Sequence, residues 1–178
     1  MGTNQDSIYL YEALELRSEF QARLASLKAL LPEHRQIRRG LLDRDDGERR
    51  EPAAGFDPAK IRENIRGLEY KSRKLNAAIQ QVNFTNRIRV QEEEISLAEA
   101  LEMRKAVNQE LAGLQKMLER SAYRKVIYKE ERNIAEEPEE DFLHVSRLIE
   151  EQRLLFRQLN RALRKAAFEI RVPFRDEE

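Results

Sequence analysis

Cysteine and tryptophan are absent from the chain, and histidine occurs only twice. Without thiols there can be no disulfide, no thiolate nucleophile and no cysteine-based metal site. Six glycines and five prolines are scattered through 178 residues. None of them forms the glycine-rich turn that cradles a phosphate or a dinucleotide. No apolar run approaches the ~20 residues that a membrane-crossing helix requires. The opening residues, Met1 to Arg17, lack a basic segment followed by an apolar core, so no secretory signal is expected and a cytoplasmic location follows. Charge of one sign is missing as well. Lysine plus arginine number 33, aspartate plus glutamate 33, for a formal net charge of zero. A dedicated nucleic-acid binder would normally carry a basic excess.

What is present is charge and helical periodicity. Charged residues make up 37% of the chain and hydrophobic ones 40%, a balance suited to thin helical layers with much exposed surface. The sequence also repeats itself. Glu12-Ala13-Leu14-Glu15-Leu16-Arg17 returns as Glu99-Ala100-Leu101-Glu102-Met103-Arg104, and Leu24-Ala25-Ser26-Leu27 as Leu111-Ala112-Gly113-Leu114. A second pair follows each copy. Leu75-Asn76-Ala77-Ala78-Ile79 with Phe84 behind it matches Leu159-Asn160-Arg161-Ala162-Leu163 with Phe168 behind it. A duplicated helix–connection–helix unit is the reading, with one repeat over about 8–86 and the other over about 95–170.

Four apolar seams agree with this. Leu10, Ala13, Phe20, Leu24, Leu27 and Leu31 mark the first helix, and Leu97, Ala100, Val107, Leu111, Leu114 and Leu118 the third. Ile61, Ile65, Leu68, Leu75, Ile79 and Val82 mark the second. Phe142, Val145, Ile149, Phe156, Leu159, Leu163, Ala166 and Ile170 mark the fourth. Steps of three and four residues keep each set on one helical face, which packs in near-parallel, coiled-coil fashion. The expected fold is all-α: a duplicated long helical hairpin forming an antiparallel four-helix, coiled-coil-like bundle in a single elongated domain.

Helix starts have local signatures. Ser96 with Glu99 forms a capping box before the third helix, whereas Tyr9, in the matching place, cannot cap. Asp57 and Pro58 suit the start of the second helix. Glu136 to Glu140 mark the start of the fourth, where acidic side chains favour the positive end of the dipole. The charged, breaker-rich stretch of about 40–55 reads as a mobile connection. Two short extended pieces are expected, one within Asn86–Ile95 and one at Glu169–Phe174 lying beside it.

Candidate sites are few. Asp141 and His144 offer a carboxylate and an imidazole three residues apart. A di-metal bundle needs a second such pair, and no metal or other cofactor is assigned. No nucleophile–base–orienter set can be composed, so the chain is read as non-enzymatic. Arg17 and Arg104 interrupt matching seams, and each follows a glutamate by five residues, Glu12 and Glu99. A guanidinium at a seam requires a carboxylate, a carbonyl or water. The favoured reading is a register-setting ion pair with the glutamate of the other copy; an anion site and a stem that snorkels to solvent are the other two. Tyr123, Arg124, Lys125, Tyr128 and Lys129 interleave basic and aromatic residues, the pattern of a local nucleic-acid contact. Arg157, Arg161, Arg164 and Lys165 could add to it, as could the arginines between Arg35 and Arg50. Self-association or protein binding is the leading function, an RNA-contacting helical arm the alternative, and no membrane contact is expected.

Ser96 to Leu101, Leu75 to Ile79, Asn83-Phe84-Thr85-Asn86 and the closing Ala167-Phe168-Glu169-Ile170 resemble a family of small bacterial helical proteins often labelled septicolysin. The resemblance runs from about Leu10 to about Ile170. It implies a cytoplasmic, mainly α-helical protein and transfers no catalytic residue. The cytolysin label implies a secreted, membrane-active protein, which the absent signal peptide and membrane-seeking segment speak against. The chain departs from the family between Tyr123 and Ile134, where relatives carry a shorter extended piece with Ser and Lys.

Overall fold

A computed structural model describes residues 7–31, 52–129 and 132–175. The 40–55 connection, apart from residues 52–55, lies outside the described residues, as do His34 and the arginines between Arg35 and Arg50. The described elements run β1 (Ile8–Tyr9), α1 (Leu10–Ala29), α2 (Pro58–Thr85), β2 (Arg87–Val90), β3 (Glu93–Ser96), α3 (Leu97–Ser121), β4 (Lys125–Lys129), β5 (Arg132–Glu136), α4 (Phe142–Glu169) and β6 (Arg171–Val172). They fall into two compact units. One comprises the chain up to Gln81 with the segment from Arg171 onward, the other Val82–Ile170. Each is built on a pair of antiparallel helices, so the duplicated hairpin is the architecture of the chain.

In the second unit α3 packs along α4. Ala100, Val107 and Leu159 are buried together with Val90 of β2, and Met103, Phe156 and Leu163 pack around them. Nearer the other end Leu114, Val145 and Ile149 form a second cluster. Every one of these helical positions except Met103 belongs to a seam read from the sequence. In the first unit Ala13 and Phe20 of α1 and Leu75 and Ile79 of α2 are almost wholly buried. The Lys28 ammonium of α1 meets the Glu69 carboxylate of α2 at 2.6 Å. One seam residue departs from expectation. Phe142 is exposed, because it occupies the first position of α4, where Asp141 turns the chain into the helix.

Helix ends follow their chemistry. The Ser96 hydroxyl accepts from the Glu99 N–H at 3.1 Å, and the Ser96 N–H donates to the Glu99 carboxylate at 2.7 Å, which completes the capping box. The Asp57 carboxylate accepts from the Ala59 N–H at 2.8 Å, so α2 starts with Pro58 in its first turn. α4 starts later than the acidic run implied. Glu136 belongs to β5, and Asp141 is the cap, accepting from the His144 N–H at 2.8 Å. At the exit of α2 the Asn86 amide donates to the Val82 carbonyl at 2.9 Å, a side-chain closure of the last turn.

The strands extend the repeat beyond the helices. β2 and β3 pair antiparallel with Arg87 opposite Ser96 and Ile88 opposite Ile95. β1 and β6 pair antiparallel with Tyr9 opposite Arg171 and Ile8 opposite Val172. Each ladder joins the residues that follow one long helix to those that precede another, in the same register. Even the closing contact recurs: the Arg87 guanidinium donates to the Glu94 carbonyl at 3.3 Å, and that of Arg171 to the Ser7 carbonyl at 3.1 Å. The tail therefore lies beside Ile8–Tyr9 and not beside the 86–95 connection. The repeat gives the reason, since β6 is the counterpart of β2 and finds the counterpart of β3.

Candidate functional site

Arg17 and Arg104 sit at matching places on α1 and α3, and both are half-buried. Within its own unit neither guanidinium meets a carboxylate, among the described residues. The Glu12 and Glu99 carboxylates are engaged locally. The Glu12 carboxylate accepts from the Tyr9 N–H at 2.7 Å and from the Tyr11 hydroxyl at 3.2 Å. That of Glu99 accepts from the Ser96 N–H at 2.7 Å and from the Ser96 hydroxyl at 2.8 Å. Each carboxylate thus closes the N-terminus of its own helix, where the unpaired N–H groups and the dipole both favour a negative charge. The Ser96 main-chain N–H, followed by its hydroxyl, holds the Glu99 carboxyl below its ordinary range. Glu12 makes the same contact although Tyr9 returns no cap bond. The repeated glutamates are half of a capping box that survives in both copies.

The pairing of Asp141 with His144 has an equally local explanation. The carboxylate receives the His144 main-chain N–H, which lowers its pKa, so the spacing is that of an N-cap. No group of three or more His, Cys, Asp or Glu side chains capable of holding a metal occurs among the described residues. No helix among them is long and apolar enough to cross a membrane. A depression of about 610 Å³ lies on α4 against Leu143, Arg147 and Glu150. It is lined by one helix alone, which cannot enclose a small ligand.

The interleaved basic and aromatic stretch becomes a β-hairpin, β4–β5, with Lys125 opposite Glu136 and Lys129 opposite Arg132. Tyr123 is 86% exposed and Tyr128 72%, and Arg124 and Lys125 are exposed too. Two of the basic groups are answered across the hairpin. Arg124 meets Glu137 at 3.7 Å, and Lys125 meets Glu136 at 3.5 Å. On α4, Lys165 is paired with Glu169 at 3.7 Å, and Arg157, Arg161 and Arg164 are exposed.

Sequence reasoning missed this hairpin. A signal was there: Val126-Ile127-Tyr128 is a run of strong strand formers. The connection between the strands, Glu130-Glu131, carries none of the glycine or asparagine that marks a tight hairpin turn. Phe84, 71% exposed, and Phe168, 57% exposed, are the repeated phenylalanines near the ends of α2 and α4.

No family model and no curated protein matches the chain. Among solved structures it is similar to a functionally unknown conserved protein from Corynebacterium diphtheriae, with a TM-score of 0.65 and 19% identity over 93% of this chain and 99% of that one. At this identity the likeness shows a shared fold and nothing of activity. The architecture is that of a bacterial helical protein.

Proposed function

We infer that the protein works by binding protein surfaces, other copies of itself first, and that it catalyses no reaction. The observation that carries this reading is the exposure of large apolar side chains in one unit, Phe84 at the end of α2 and Leu143 and Leu154 on α4. Covering such side chains with a partner removes apolar area from water, which favours association. Paired helices that bury one seam each leave their outer faces for that use. A cytoplasmic location fits the same reading. Kinship with the proteins labelled septicolysin is supported by the phrases along both hairpins that resemble that family.

The reading is tested on protein purified without nuclease, by light scattering and ultraviolet absorbance on a size-exclusion column at low and high salt. A multimer whose mass survives high salt, with a protein-like absorbance ratio, is the expected result. A monomer would overturn it. So would co-purifying nucleic acid that salt displaces, which would return the function to the exposed cations of β4 and α4.

A further inference from the structure

The β4–β5 hairpin pairs only with itself among the described strands. A two-stranded hairpin standing alone is marginal in water, and a small sheet becomes stable with three strands or more. An open edge is also a template for another strand. The two edges of this hairpin are not alike. β4 reads Lys-Val-Ile-Tyr-Lys and β5 reads Arg-Asn-Ile-Ala-Glu.

Lys129 pairs with Arg132 across a two-residue connection. In such a hairpin the closing pair exchanges both main-chain bonds, and bonded and non-bonded pairs then alternate. Pairs 127:134 and 125:136 are bonded by that rule, so the N–H and C=O groups of Asn133 and Ala135 are directed at the open side of β5. Let β5 of a second copy approach antiparallel, with Ile134 at the centre. Asn133 then stands opposite Ala135 of the second copy, and the outward groups of each meet those of the other. The same register sets Arg132 opposite Glu136 of the second copy, and twofold symmetry makes that pair twice. Arg132 and Glu136 are both exposed. The β4 edge fails the same trial, because it would set Lys125 against Lys129 of the second copy at both ends. Lysines of this kind guard an edge.

We propose that β5 is a self-pairing edge through which two copies of the chain join their hairpins into one four-stranded antiparallel sheet. This rests on the self-association reading above and names the strand that carries it. By the period-two alternation of a strand, Val126, Tyr128 and Ala135 of both copies share one face of the joined sheet. Only Ala135 among them gains a new neighbouring strand; Val126 and Tyr128 stay on the outer strands, where they are exposed.

Sedimentation velocity over a range of concentrations tests this on the full chain, on Arg132→Glu and on the double variant Arg132→Glu/Glu136→Arg, the last carried on a Lys125→Glu background so that position 136 keeps an opposite charge across the hairpin. The single substitution puts a carboxylate opposite Lys129 inside the hairpin, which favours the hairpin, and opposite Glu136 of the second copy, which disfavours the dimer. Its dimer should be about tenfold weaker, and the double variant should recover most of the loss. A dimer of Arg132→Glu as tight as that of the unaltered chain would overturn the edge pairing while leaving self-association in place. Failure of the double variant to recover would overturn the register and with it the proposal. An unaltered chain that sediments as a monomer throughout would overturn both this proposal and the reading it rests on.

Discussion

Ser96 and Tyr9 hold the same place before α3 and α1, yet only Ser96 exchanges hydrogen bonds with the glutamate three residues on. Ser96→Ala should therefore lower stability by about 1 kcal/mol, read by urea denaturation. The pH dependence follows from the same contacts. Glu99 and Asp141 both have depressed pKa values, the first through the N–H and hydroxyl of Ser96, the second through the N–H of His144. Their stabilising effect is complete above the ordinary carboxylate range and is lost as pH falls through the lower folded values. The denaturation midpoint should drop between about pH 5 and pH 3, and Ser96→Ala should flatten part of that slope. Tyr9 has a different use. The Arg171 guanidinium lies 4.2 Å from the centre of its ring and donates to the Ser7 carbonyl. Arg171→Ala should cost about 1 kcal/mol from the lost cation–π and hydrogen-bond contacts, measured by thermal denaturation.

At the scale of the element, the seams were legible because helical burial leaves a period in the sequence. Leu159, wholly buried among Val107, Ala100 and their neighbours, shows what that period protects. Leu159→Ala should cost about 3 kcal/mol, the loss of a buried leucine together with the cavity it leaves. Gly67 and Gly113 interrupt α2 and α3 with open space where a Cβ would stand. Replacing either by alanine should raise stability by about 0.5–1 kcal/mol, through helix propensity alone. The capping serine and the Asp57–Pro58 start were legible for a related reason: their partners lie within three residues. The roles of Glu12 and Glu99 were harder to see. A glutamate three residues after a helix start and one that pairs with a distant arginine look alike in sequence, and only the short contacts to Tyr9 and Ser96 separate them. β4–β5 was hidden because its turn lacks the usual residues, and β1–β6 because it joins strands of two residues each from opposite ends of the chain.

For the whole molecule, duplication is the organising fact, and it reaches past the helices into the ladders that close them. Arg87 and Arg171 stand in equivalent registers and donate to equivalent carbonyls, and the same ladders set Ile95 and Ile8 at matching positions. That repetition accounts for the fold. The function proposed for it rests on the large apolar side chains left exposed, Phe84, Leu143 and Leu154. Sedimentation equilibrium of the untagged, full-length protein, over a wide range of concentration, tests that claim most directly. The account predicts a limiting mass that is a whole multiple of 21.0 kDa, unchanged when the salt is raised. A mass that stays at one chain under every condition would contradict it.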